Sequence, residues 1–595
     1  MALILDVECY SNFFLVCFMD LDTGKVGSFQ MHEGKPLNVS KIAHLMRSHT
    51  TVGFNSSQYD LPMIAAALEN RSCDELKKVS DAIITSNLPS WRVLQDLGVN
   101  VPDAWDHIDI IEVLPGRAGL KVYAGRIGYP KLQDLPIEPS AMISPDQRDL
   151  LKQYCINDVR VTAELYQMMG KQIALRVDMG QQYSVDLRSK SDAQIAETVL
   201  KSEIEGVSGK TLRPQRLRDD ARFRYLDPKI ISFESDHLTD ILKRIMAEGF
   251  ELSANGSIKL PDWLKDTRIK IGQSEYQMGI GGLHSCEKGR SVYAGQDHIL
   301  ADFDVASYYP SIILQQKIAP DNMGDDFTDI YKSIVERRLA AKHAGDKVTA
   351  DTLKIVVNGS FGKLGSKYST LYAPNLLIQT TITGQLALLM LIERLEAIGA
   401  SVVSANTDGI VVFASKALED SIADVVFWWQ VDTSYELERS DYTSLHSRDV
   451  NNYIAVKGDG SYKAKGVFSE PGLMKNPQFP IVSEAVAKHL SGQSDYRDVI
   501  RSCKDIGRFV MLRKVTGGAV WRDEPLGKAV RFYYSTEVAP DETINYAKNS
   551  NKVPQSDGAR PCLDLPDQFP NDVDVERYVG MARMVFKQLG IGIDA

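Results

Sequence analysis

The chain has 595 residues, of which 44% are hydrophobic and 25% charged, with a formal net charge of −10. That length exceeds what one hydrophobic core can organise, so several domains are expected, and the composition excludes a fibre, a disordered tail or a membrane bundle. The acidic balance argues against a uniformly basic nucleic-acid binder, yet carboxylates gathered around metal ions can coexist with one groove lined by Lys and Arg.

The N-terminus MALILDVEC has no basic region or cleavage site, and the apolar stretch Phe13 to Met19 is too short to span a bilayer. The sequence therefore reads as neither exported nor anchored. Its seven cysteines are scattered without CxxC spacing, which fits a reducing compartment. The first strand, LILDVEC, alternates its side chains, so Asp6 and Glu8 project from one face. Two carboxylates that close either are solvated at a strand end or share a cation. NSSQYD is followed by the helix-like LPMIAAALE, placing Asp60 at a helix start. A helical pattern runs from Pro145 to Gln172, with Ser144 as cap, Pro145 at the first position and Gln147 completing a capping box. Within it, YCIND sets Tyr154 and Asp158 on one face. A boundary near Gly180 to Ser189 precedes a second helical pattern, Ser189 to Glu205, and Asp227 to Ser274 carries no readable motif.

Strand-like runs at Ile299 to Ala306, Val402 to Ser404 and Ile410 to Ala414 then alternate with helical ones, implying a mixed α/β body. The first carries Asp302 and Asp304 on one face and leads through SYYPSII into a helix. YKSIVERRLAAK puts Arg338 and Lys342 four residues apart, as a solvated stripe or a phosphate contact. In LKIVVNGSFGKLG, Lys354, Asn358, Phe361 and Gly362 recur at helical spacing. Glycine costs about 1 kcal/mol there relative to alanine, so Gly359 and Gly362 imply a close approach to that backbone. SVVSANTDGIVVF is two strands joined at Asp408-Gly409, and NNYIAVKGDGSYKAKGVF brings Lys463 and Lys465. Val553 to Asp574 reads as a loop before a last helix.

DVE, NSSQYD and YCIND resemble, in order, the three exonuclease motifs DxE, NxxxYD and YxxxD of the proofreading DEDDy superfamily. That resemblance assigns Asp6, Glu8, Asp60 and Asp158 to divalent metal ions, Tyr154 to orienting the water, and Asn55 to the single-stranded 3′ end. DVASYYPSII resembles motif A of family B DNA polymerases (DxxSLYPSII), KIVVNGSFG their motif B (KxxxNSxYG), NTDG their motif C (YxDTDS), and KAKG their KxKG segment. The match implies that Asp304 and Asp408 hold the metal ions and that Tyr309 packs under the sugar to exclude a 2′-hydroxyl. It also implies that Arg338, Lys342 and Lys354 bind the triphosphate, and that Asn358 and Phe361 border the nascent pair. Lys463, Lys465 and Gly466 would meet the primer-template backbone. Tyr308 stands for the usual Leu, as a core aromatic or in a direct role. Gly359 replaces Ser, Phe361 replaces Tyr, Asn406 replaces the first Asp of motif C, and Gly409 its Ser.

The implied fold is an α/β and α+β multidomain chain: an RNase H-like exonuclease domain over residues 1–185, then a right-hand polymerase. The first part of the palm takes 186–326, a fingers helical hairpin 327–367, the second part of the palm 368–470, and the thumb with the C-terminal region 471–595. The implied activity is DNA synthesis from dNTPs on primer-template DNA with 3′→5′ proofreading, using two Mg²⁺ per active site with Mn²⁺ able to substitute. The phage type implies genome replication in the host bacterial cytoplasm, with a helicase, single-strand binding protein or processivity factor as partner and no membrane. DVE begins at the sixth residue, so no extra N-terminal domain is expected, and motifs A to C lie close together, so no large insertion of the protein-primed kind and no terminal-protein primer are expected. The alternatives are a 3′→5′ exonuclease with a decayed polymerase half, motivated by Asn406, and a scaffold whose carboxylates are merely solvated.

Overall fold

A computed structural model describes residues 2–592. It divides into two compact units, one of Met1–Ser191, Pro471–Pro480 and Cys503–Asp574, the other of Asp192–Glu470, Ile481–Ser502 and Val575–Ala595.

The first unit is built on strands β1 (Ala2–Tyr10), β2 (Phe13–Asp20), β3 (Val26–His32), β4 (Thr50–Gly53) and β5 (His107–Asp109). They lie in the order β3-β2-β1-β4-β5, with β1, β2 and β3 antiparallel and β4 and β5 running parallel to β1. Alternation along β1 sends Leu3, Leu5, Val7 and Cys9 into one core, with Leu61 and Ile64 of the helix Asp60–Leu68. Ile4 and Tyr10 enter the opposite core, with Leu151, Cys155 and Val159 of the helix Gln147–Met168. Asp6 and Glu8 share that second face. The expected single helix from Pro145 to Gln172 starts two residues later and is interrupted at Met169, before Gly170–Tyr183 continues. Gly170, a poor helix former, follows the break directly. Half of the expected capping box forms, the Ser144 N–H donating to Gln147 Oε1 at 2.9 Å.

Residues 471–595, expected as one terminal region, are divided between the units. The cause is partly Arg531, whose fully buried guanidinium donates to the carbonyls of Tyr129, Pro130, Cys562 and Leu563 at 2.8–2.9 Å. A buried cation persists only where its donors are met, so this side chain fastens the hairpin Met511–Trp521 and Glu524–Tyr534 to the 129–130 loop.

The second unit centres on an antiparallel sheet of β6 (Ile269–Ile271), β7 (Ser274–Met278), β8 (Leu283–Ser285), β9 (His298–Val305), β10 (Ser401–Asn406), β11 (Gly409–Ser415) and β12 (Leu437–Asp441), in the order β12-β9-β11-β10-β8-β7-β6. Three of these are the strands expected at Ile299, Val402 and Ile410. The motif-free region from Asp227 contributes Leu238, Ile241, Ile245 and Phe250 to the same core. Against the sheet lies the helix Pro374–Ala397, long and apolar enough by composition to cross a membrane, with 89% of its apolar window buried inside the protein. Tyr308 is buried here, its hydroxyl donating to the Gly384 carbonyl at 2.5 Å, which makes it a core aromatic. A Cβ on Gly384 would come 3.2 Å from that ring.

The helices Asp192–Ser208 and Lys347–Lys363 pack closely. A Cβ on Gly359 would stand 2.8 Å from the Asp192 carbonyl and 2.9 Å from Ala196 Cβ, whereas one on Gly362 meets nothing within 4 Å. Helix packing thus explains the first glycine, and the second faces open space. Gly359→Ala is expected to lower stability by about 1–3 kcal/mol through overpacking, while Gly362→Ala raises it by up to about 1 kcal/mol. Chemical denaturation of the two variants measures both.

Candidate active sites

In the first unit, Asp6 and Glu8 are half-buried on β1, and Asp60 and Asp158 are almost wholly buried at the head of one helix and within another. Burial, followed by the charges of Asp60, Glu8 and Asp158, pushes the Asp6 carboxyl well above the usual range. Burial and Asp158 do the same to Glu8, and burial with Asp109 pushes Asp60 up to about 8. The four expected acids are therefore brought together, and they repel.

Lys121, on the short helix Leu120–Arg126, answers part of that repulsion. Its ammonium pairs with Asp158 and lies 4.2 Å from the centre of the Tyr154 ring. Burial raises Asp158, and Lys121 pulls it back, as does a hydrogen bond from Tyr154. Asp60 Oδ1 is buried without a hydrogen-bond partner. An all-carboxylate donor set with one orphaned oxygen fits a hard divalent cation. Cys155 Sγ lies within 4.8 Å of the Asp6 and Glu8 oxygens, but burial pushes its thiol up and it donates to the Asp6 carbonyl, so it is not a thiolate ligand. Asn55 is exposed in a left-handed turn, φ 57°, held by Asp109, which accepts from the N–H groups of Asn55 at 2.8 Å and Ser57 at 2.9 Å. Sequence patterns missed Lys121 and Asp109, since neither recurs at a readable spacing with the other acids.

In the second unit, β9 and β11 pair Asp304 opposite Gly409. The turn between β10 and β11 bends at Thr407, φ 57°, and the Asp408 carbonyl accepts from the Val305 N–H at 2.7 Å. A Cβ at position 409 would collide with Asp304 Oδ1, which accounts for glycine where the motif has serine. Asp302, buried below, accepts from Tyr442 Oη at 2.6 Å and Lys463 Nζ at 3.2 Å, and Lys463 also lies 3.9 Å from Asp304. Lys463, expected at the DNA backbone, is thus committed to the carboxylates, while Lys465 is exposed and Gly466 takes φ 60°. Burial and Asp302 push Asp304 up to about 6 against the pull of Lys463, and burial also raises Asp408. This donor set, two repelling carboxylates open to solvent, fits a divalent cation as well.

A cavity of about 340 Å³ is lined by Asp302, Asp304, Asn406, Asp408, Lys463 and Lys465, among others. A second, of about 380 Å³, is lined by Ser307, Tyr309, Arg338, Asn358, Phe361 and again Asp408. The Tyr309 ring stacks on Phe361 at 4.1 Å and 16°, and its hydroxyl donates to the Gly281 carbonyl. Arg338 Nη1 donates to Ser307 Oγ at 3.2 Å. Lys342 and Lys354 are exposed and outside the described lining of both cavities.

Asn406 is engaged as an amide. Its Nδ2 donates to the Val450 carbonyl at 3.2 Å and Asn451 Oδ1 at 3.3 Å, and its Oδ1 accepts from Thr407 Oγ1 at 3.1 Å. The 449–452 turn that it holds is tied onward, Asn452 Oδ1 accepting from the Val467 N–H at 2.7 Å. A carboxylate at 406 would face the Val450 carbonyl with no proton to give.

No protein-family profile matches the chain, and no curated protein matches it. Among solved structures, the chain is similar to the family B DNA polymerase from the hyperthermophilic archaeon Pyrobaculum calidifontis, at 14% identity and a TM-score of 0.40, covering 100% of this chain and 78% of that one.

Two outcomes follow from the site geometry. An acid held above its unfolded pKa makes the folded state bind more protons, so stability falls as pH rises between the two values. For Asp60 that window runs from about 4 to about 8. In EDTA the melting temperature of the first unit should climb as pH is lowered through it, Mg²⁺ should stabilise more at pH 8 than at pH 5, and Asp60→Asn should flatten the trend in calorimetry. Asn406→Asp should loosen the 449–452 turn, read as amide exchange at Asn451, Asn452 and Val467 about tenfold or more faster than in the parent.

Proposed function

We propose that the chain is a template-directed DNA polymerase of the family B type, of the bacteriophage kind, with a 3′→5′ proofreading exonuclease in its first unit. The observation that carries the reading is Asp408, shared between the carboxylate cavity and the cavity bounded by Tyr309, Phe361, Asn358 and Arg338. A nucleotide whose phosphates meet Arg338 beside Asp408 would place its sugar and base against the stacked aromatic pair. The β3-β2-β1-β4-β5 order, antiparallel then parallel, supports an RNase H-like reading of the first unit. On this reading the consecutive helices Asp325–Ala344 and Lys347–Lys363 would form the fingers, and the seven-stranded sheet the palm.

Asp304 and Asp408 would hold one pair of Mg²⁺ ions, and Asp6, Glu8, Asp60 and Asp158 another. Bound there, the ions supply charge stabilisation on the attacking and leaving oxygens of in-line phosphoryl transfer. The chain's own residues do the positioning. Tyr309 is fixed by the Gly281 carbonyl and Phe361, so its ring presents a rigid wall to a 2′-hydroxyl. Tyr154, bonded to Asp158, would orient the attacking water of hydrolysis, and exposed Asn55 would contact the 3′ end. Lys465 and Gly466 would meet the duplex backbone. Primer-template DNA, dNTPs and an accessory replication protein in a bacterial host cytoplasm, without a terminal-protein primer, belong to the same proposal.

A labelled primer-template incubated with Mg²⁺ should lengthen with dNTPs and shorten without them. Asp408→Ala should abolish lengthening alone, and Asp6→Ala with Glu8→Ala should abolish shortening alone. Tyr309→Val should relax discrimination against rNTPs by roughly 10- to 200-fold. A parent that shortens but never extends any primer would mean a nuclease with a decayed polymerase half.

A further inference from the structure

The helix Glu419–Thr433 carries three consecutive aromatic residues, Phe427-Trp428-Trp429, and uses only part of the run for packing. Trp429 is fully buried, its indole donating to the Ala387 carbonyl at 2.8 Å. Phe427, Trp428 and Val431 point the other way, 55%, 60% and 52% exposed, with the first two rings edge to face at 5.4 Å. Helical spacing continues this stripe through Asp424 and Asp420, both exposed. Neither acid is in an ion pair among the described residues, whereas Glu419 and Asp432 are neutralised by Arg439 and Arg394. An apolar cluster of large rings beside uncompensated charge is a costly way to meet water, and such clusters mark association sites.

Charge decides what the face accepts. From Glu419 to Asp441 the chain has seven acidic residues and one basic residue, Arg439. β12, which follows the helix, is the edge strand of its sheet, with Glu438 and Asp441 exposed beside an open hydrogen-bonding edge. Phosphate backbones and anionic lipid surfaces are repelled by such a rim. A second copy would set like charges opposite each other. We propose that this face docks a cationic, amphipathic segment of another protein, apolar residues covering Phe427, Trp428 and Val431 and Lys or Arg meeting Asp420 and Asp424. The rim charges set encounter rate and selectivity, and the aromatic pair supplies the affinity.

The probe is a dye-labelled synthetic 18-residue helix with leucines at i, i+3, i+4 and i+7 spacing and lysines elsewhere, titrated with the full chain at 0.15 M salt and read by anisotropy. Expected is one saturable site in the micromolar range. Phe427→Ala with Trp428→Ala should weaken it about tenfold or more at unchanged melting temperature. Asp420→Asn with Asp424→Asn should weaken it less and remove most of its salt dependence. A peptide of the same charge lacking leucines should bind no better to the parent than to the aromatic variant. Equal affinity of parent and both variants overturns the proposal. So does sedimentation of the parent as a dimer that Trp428→Ala converts to monomer, which would assign the face to a second copy.

Discussion

Crowding of like charge is the constraint on which both units are built. Two carboxylates about 4 Å apart repel by about 4 kcal/mol at an effective dielectric of 20, and the first unit gathers four of them around β1. Only a rigid frame holds that geometry without a cation, and the apolar cores on the two faces of the sheet supply the frame. Each unit adds a lysine from a separate element as an internal counter-charge, Lys121 against Asp158 and Lys463 against Asp302 and Asp304. The sites are therefore partly neutralised in the folded chain itself, which lowers the cost of forming them before any ion arrives.

The positions at which the sequence departs from the motifs it resembles each fit their surroundings. Tyr308 replaces an aliphatic residue where Gly384 leaves room for the ring and its carbonyl accepts the hydroxyl. Gly409 replaces serine where a side chain would occupy the Asp304 carboxylate's place. Asn406 replaces aspartate where an amide proton, rather than a negative charge, is what the Val450 carbonyl requires. Gly359 replaces serine under the crossing of two helices. Each of these residues meets a partner far away in sequence.

The parts of the architecture that were legible in the sequence are those governed by short-range periodicity. Alternation in LILDVEC set Asp6 and Glu8 on one face, and the strands at Ile299, Val402 and Ile410 fell within one or two residues of their observed bounds. Helical spacing brought Asn358 and Phe361 to one cavity, whereas Lys354, expected beside them, lies a full turn nearer the helix start and outside that cavity's lining. Lys121, Asp109, Tyr442 and Gly281 were illegible: each acts on a residue tens to more than a hundred positions away, and no local pattern records such a partnership. The same holds for Arg531, whose acceptors at Tyr129 and Pro130 draw a late hairpin into the first unit.

That last attachment governs the order in which the molecule can be made. The first unit is discontinuous: its N-terminal sheet is complete by Ser191, yet Arg531 and the hairpin bearing it emerge more than 300 residues later. At a synthesis rate of 5–20 residues per second, the wait lasts roughly 20–70 s. Throughout it the Tyr129 and Pro130 carbonyls stay without their guanidinium and the flank of the core around Leu132 without Leu512 and Ala529. Most of the second unit emerges within that interval, so the N-terminal body reaches its final stability only after the bulk of its neighbour has been synthesised.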